Sequence, residues 1–128
     1  MKERILVIED NDLNRELFKA ILETGGYQPL LASDAEKGLE IAKKHHPDLI
    51  LMDIQLPGMD GLTATRLIKN DTELKGIPVI ALTAYAMPRD ERKALDAGCM
   101  GYISKPVRVR DFLKKIAHFL ERHRVVSQ

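Results

Sequence analysis

Pro47-Asp48-Leu49-Ile50-Leu51-Met52-Asp53 is the stretch on which the fold turns. Four consecutive apolar residues, Leu49 to Met52, stand between a Pro-Asp pair and an aspartate. A strand with one wet face alternates apolar and polar side chains. An unbroken apolar run of this length therefore describes a strand covered on both faces, as in a parallel sheet. Outward from it, four more short runs share the character: Ile5 to Ile8, Pro29 to Ala32, Val79 to Leu82, and the weaker Gly101-Tyr102-Ile103.

The stretches between these runs read as helices. Asn11 or Asp12 is placed to cap a first helix with Leu13, Leu17 and Ile21 on one face, stopped by Gly25-Gly26. Ser33-Asp34-Ala35-Glu36 has the form of a capping box, opening a second helix that runs to about His45. A third spans Gly61 to about Asn70. Pro88 suits the first position of a fourth, anchored by Ala94, Leu95 and Ala97 and ended by Gly98. Val109, Leu113, Ile116 and Leu120 give the last helix its stripe. Five strand–helix repeats with short connections predict right-handed crossovers. The expected fold is α/β, a flavodoxin-like (βα)5 three-layer sandwich whose parallel five-stranded sheet has the order 2-1-3-4-5. One domain is expected over residues 1–124, with a short tail at 125–128.

Composition narrows the function. A chain of 128 residues, 45% of them hydrophobic, suits a single domain with a proper core. Its formal net charge of +1 offers no basic excess to displace counterions from nucleic-acid phosphates. The single cysteine, Cys99, cannot form an internal disulfide and reads as a small buried hydrophobe. No stretch approaches the length of a membrane span. A soluble cytoplasmic protein is expected, without direct contact to nucleic acid or membrane.

Open α/β sheets place their sites at the carboxyl ends of the strands. There the first strand delivers Glu9-Asp10 and the third delivers Asp53. Taken singly, the acidic pair reads as a helix cap and Asp53 as the start of a turn. With strands one and three adjacent, however, three carboxylates converge, and like charges that close need a cation among them. Hard divalent ions such as Mg²⁺ take such oxygen ligands. The fourth strand adds the hydroxyl of Thr83, and the fifth is followed by the ammonium of Lys105. Four strands bringing carboxylates, a hydroxyl and an ammonium to one edge describe a site for a transferring phosphoryl group.

These residues carry a resemblance. Through Ile8-Glu9-Asp10-Asn11, Pro47 to Asp53, Leu56-Pro57-Gly58-Met59-Asp60-Gly61, Ala81-Leu82-Thr83-Ala84 and Ser104-Lys105-Pro106, the chain resembles the receiver domains of response regulators. The resemblance implies a single-domain member of two-component signalling, a switch that catalyses its own phosphorylation and dephosphorylation rather than a turnover enzyme. Asp53 would accept the phosphoryl group from a phosphohistidine on a sensor histidine kinase or a histidine phosphotransfer protein. Asp10 would bind Mg²⁺ directly, Glu9 mainly through a metal-bound water, and Asp53 and the backbone carbonyl of Gln55 would complete the protein ligands. Lys105 would pair with the phosphoryl oxygens and Thr83 would hydrogen-bond one of them. Gln55 and Tyr85 stand where the family tunes hydrolysis, and the Lys105–Pro106 bond would be cis. Thr83 and Tyr102 would form the switch, altering a face around Arg92, Tyr102, Pro106 and Phe112. That face would serve a downstream protein target or phosphorelay, from a monomer or weak dimer.

Three other classes share parts of this pattern. A phosphatase of the haloacid-dehalogenase kind would carry its paired aspartates after the first strand with one residue between them, whereas Glu9 and Asp10 are adjacent. A nucleotide or flavin site would need a glycine-rich loop where Asp10-Asn11-Asp12 stands. A receiver-like module that never takes phosphate would lack some of the residues named above.

Overall fold

A computed structural model of the chain describes residues 2–84 and 88–127. Its strands are β1 (Arg4–Ile8), β2 (Gln28–Ala32), β3 (Leu49–Asp53), β4 (Val79–Thr83) and β5 (Gly101–Ser104). They alternate with helices α1 (Asp12–Thr24), α2 (Ala35–His45), α3 (Gly61–Lys69), α4 (Pro88–Ala97) and α5 (Val109–Ser127). The sheet is parallel throughout and its order is β2-β1-β3-β4-β5, as expected.

The unbroken apolar runs now have their cause. Ile5, Val7, Leu49, Leu51, Ile80 and Leu82 join one core with Phe18, Leu22, Phe112 and Ile116 of α1 and α5. Their neighbours Leu6, Ile8, Ile50, Met52, Val79 and Ala81 point the other way, into a second core with α2, α3 and α4. Alternate residues of each strand thus face opposite layers, and both layers are buried and apolar.

Several helix details depart from the sequence reading. The cap of α1 is Asn11, one of the two residues expected there, accepting from the Asn14 N–H at 2.9 Å. The buried face of α1 is Phe18, Ile21 and Leu22, whereas Leu13 and Leu17 are 81% and 49% exposed. Asp34 caps α2, not Ser33: its carboxylate accepts from the Lys37 N–H at 2.8 Å. That start, one residue later, puts Glu36 out of reach of a capping-box position. In α4 only Ala94 and Ala97 are buried, and Leu95 is exposed. In α5 the buried face runs through Phe112, Ile116, Phe119 and Leu120, leaving Val109 exposed. Phe112, expected on the switching face, is a core residue at 1% exposure with its ring 5.5 Å from that of Phe18. The backbone of α5 continues to Ser127, over the described residues of the stretch expected as a tail.

Candidate acidic phosphoryl site

The site is assembled at the carboxyl edge of the three central strands and β5. Glu9 directly follows β1, and its N–H donates to the Ala32 carbonyl at 3.0 Å, which continues the β1–β2 ladder past the strand end. Asp53 is the last residue of β3, paired in register with Leu82 of β4. Thr83 closes β4 opposite Ser104 of β5, and its carbonyl accepts from the Lys105 N–H at 2.7 Å. Backbone ladders therefore fix the four positions before any side chain acts.

Leu56 to Gly61 carries the chain from β3 into α3. Gly58 takes a φ of +73°, a left-handed conformation that suits glycine. Gly61 opens α3 directly over the strand end, where a Cβ would lie 2.2 Å from the Asp53 carbonyl oxygen. Asp60 caps the helix, accepting from the Thr63 N–H at 2.9 Å.

The three carboxylates converge as expected. Oxygen atoms of Glu9, Asp10 and Asp53 lie within 4.8 Å of one another. Glu9, Asp53 and Thr83 are buried, and Asp10 is exposed at the rim. Lys105 bridges two of the acids, its Nζ donating to Glu9 Oε1 at 2.7 Å and to Asp53 Oδ2 at 3.0 Å. The other oxygen of Asp53 accepts from the Gln55 N–H at 2.8 Å. The Gln55 side chain is exposed, so its backbone is the part held at the site. The Lys105–Pro106 bond is cis. Tyr102 lies half-buried on β5 beside the α2–α4 core, and the nearby Glu91 carboxylate raises its phenol pKa. Tyr85 lies outside the described residues.

Crowding separates the acidities of the two buried carboxyls. Burial lifts Glu9 to about 6, the neighbouring Asp53 pushes the same way, and Lys105 only partly offsets both. Asp53 is also pushed up by burial, but hydrogen bonding at its carboxylate, first with the Glu9 carboxyl and then from the Gln55 N–H and Lys105, outweighs that and holds it below the usual range. Lys105, between two carboxylates, is held above the ordinary lysine value despite its burial.

Two residues that the sequence reading passed over complete the arrangement. Asn14 Nδ2 donates to Glu9 Oε1 at 3.1 Å. Arg15 Nη1 donates to the carbonyls of Glu9 and Asp10 at 2.9 and 3.1 Å, while Nη2 pairs with Asp12. Their signal is position alone: both sit in the first turn of the helix that starts at the acidic pair.

The donor set fits a hard divalent cation. It consists of carboxylate oxygens, and Glu9 Oε2 is a buried acceptor with no hydrogen-bond donor among the described residues. An orphaned anionic oxygen in a buried cluster is costly unless a cation or a metal-bound water meets it.

This fold and this acidic edge define a class. The chain belongs to the response regulator receiver domain family, whose sequence model matches residues 5–117. It is a receiver of two-component signalling, a family in which aspartyl phosphorylation is characteristic. Among relatives, the polar-differentiation response regulator DivK of Brucella ovis is 46% identical over 120 residues, which cover 94% of this chain and 98% of that protein. Among solved structures, the receiver domain of a sensor histidine kinase from Pseudomonas aeruginosa is 33% identical with a TM-score of 0.87. The match covers 94% of this chain and 99% of that one, which holds a magnesium ion in its active site cleft. A CheY-like receiver domain protein from Methanospirillum hungatei is likewise 33% identical, with a TM-score of 0.88 and 97% and 98% coverage.

Proposed function

We propose that Asp53 accepts a phosphoryl group from a phosphohistidine of a sensor histidine kinase or histidine phosphotransfer protein, with Mg²⁺ held by Glu9, Asp10, Asp53 and the Gln55 carbonyl. The observation that carries this reading is the carboxylate of Asp53 at the end of β3, beside two further acids and bridged by Lys105. Asp53 is the better nucleophile of the two buried acids because it stays ionised where Glu9 begins to hold a proton. One of its oxygens attacks phosphorus, the P–N bond breaks, and the imidazole leaves with the electron pair. Mg²⁺ would supply the positive charge that lets an anionic carboxylate approach an anionic phosphoryl group.

The chain's own residues do the rest. The Gln55 N–H and Lys105 orient the carboxylate, and Lys105 then turns an N–H to the phosphoryl oxygens. Thr83, buried at the end of the next strand, donates its hydroxyl to another of those oxygens. Water attack on phosphorus returns the carboxylate, so the protein works as a timed switch and not as a turnover enzyme. Movement of Thr83 toward the new charge couples to Tyr102 on β5 and to α4, held in the core only by Ala94 and Ala97. The exposed face around Arg92 and Pro106 thereby changes for a downstream protein target or phosphorelay. Leu13 and Leu17, on the helix that follows the acidic pair, are open to solvent and offer the donor protein an apolar surface. Residues 1–124 are the receiver domain in this reading, working in the cytoplasm as a monomer or weak dimer. Among the described residues no helix is long and apolar enough to cross a membrane.

Incubation with acetyl phosphate and Mg²⁺, followed by intact mass, tests the proposal. Wild type should gain one phosphoryl group, and both chelation of Mg²⁺ and Asp53→Asn should abolish the gain. A protein that stays unmodified would instead be a phosphate-independent interaction module.

A further inference from the structure

The two oxygens of the Glu9 carboxylate are treated very differently. Oε1 receives two donors, the Lys105 ammonium at 2.7 Å and the Asn14 amide at 3.1 Å. Oε2, also buried, receives none from the described residues. The carboxylate is thus held by donors through Oε1, while Oε2 faces the acidic cluster without a donor of its own among the described residues.

The two donors differ in kind. Lys105 sits on a long flexible side chain and also bonds Asp53. Its role in phosphoryl transfer, on the reading above, requires it to turn toward the phosphoryl oxygens. Asn14 is short and is fixed from behind. It lies in the first turn of α1, its own N–H bonded to the capping carboxamide of Asn11 at 2.9 Å. Arg15 pins the backbone beneath the same acids through the Glu9 and Asp10 carbonyls. A buried carboxylate that loses its only donor is strongly destabilised, whereas one that keeps a fixed neutral donor stays oriented.

We propose that Asn14 is a positioning residue for the cation site, which engages Glu9 Oε1 with a fixed amide so that Oε2 remains available to a divalent ion or its water, and which holds Glu9 in place when Lys105 moves to the phosphoryl group. The inference rests on the functional reading above and adds a residue to it. The pairing is specific to glutamate at position 9, because an aspartate there would draw the carboxylate back toward β1 and away from the amide.

Mn²⁺ titration of the unphosphorylated protein, followed by electron paramagnetic resonance, reads this without any turnover. Asn14→Leu keeps the approximate shape and removes the donor. Its loss should weaken Mn²⁺ binding about 5-fold, the equivalent of one hydrogen bond. In a Glu9→Asp background the same substitution should have almost no effect, the non-additivity expected of a direct pair. Asn14→Ser, more tolerable in a helical first turn, provides a second variant, and thermal unfolding without metal checks the fold of each. Unchanged Mn²⁺ affinity in both folded Asn14 variants, or equal losses with and without the Glu9→Asp substitution, overturns the proposal while leaving the functional reading intact. Wild type that binds no Mn²⁺ overturns both.

Discussion

Glu9 and Asp53 share one pocket and one lysine, yet their acidities part, and that difference has a measurable consequence. Glu9 ionises near 6 in the fold and near 4.5 when exposed, so its protonation stabilises the metal-free protein fully below about 4.5. That contribution disappears as pH rises through about 6. The same proton competes with a cation for the carboxylate. Mg²⁺ affinity should therefore climb as pH rises through about 6 and flatten above it; calorimetric titration across that range checks this, and a flat profile would contradict it. Glu9, Asp10, Asp53, Thr83 and Lys105 were all legible in the sequence because each ends or follows a strand, and strand ends meet at one edge. Asn14 and Arg15 were not. Their reach depends on the direction in which the first turn of α1 leaves the sheet, which no spacing rule conveys.

At the scale of elements, the strands were easier to read than the helix faces. Strand runs covered on both sides are marked by their continuity, as in Leu49 to Met52. A helix beside such a sheet has several apolar residues to choose from, and packing selects among them. In α1 the sheet takes Phe18, Ile21 and Leu22, leaving Leu13 and Leu17 outside although they share the helical spacing. In α5 it takes Phe112 and leaves Val109 outside. Phe112→Ala should consequently cost about 3–5 kcal/mol in denaturant unfolding, the effect of emptying a buried aromatic site. Leu13→Ala should change stability by less than about 0.5 kcal/mol. If the exposed leucines meet the phosphodonor, that same substitution should slow phosphorylation by a protein phosphohistidine and leave the acetyl phosphate reaction untouched. Equal rates from both donors in the variant and wild type would remove Leu13 from the docking surface.

For the molecule as a whole, topology does the work of the active site. Placing β1 and β3 side by side, with β4 and β5 following, carries residues from positions 9 to 105 to a single edge without any long functional loop. Two apolar cores, one on each side of the sheet, hold that edge in place. The sequence conveyed this order because the alternation of buried strand and amphipathic helix admits few right-handed arrangements. The central claim is that this edge gathers three carboxylates, the reactive Asp53 among them, around one divalent cation. Anomalous diffraction from crystals equilibrated with Mn²⁺ tests it most directly. The account predicts one strong peak among Glu9, Asp10 and Asp53, within coordination distance of the Gln55 carbonyl; saturating Mn²⁺ with no peak there, or with its main peak elsewhere on the protein, would contradict it.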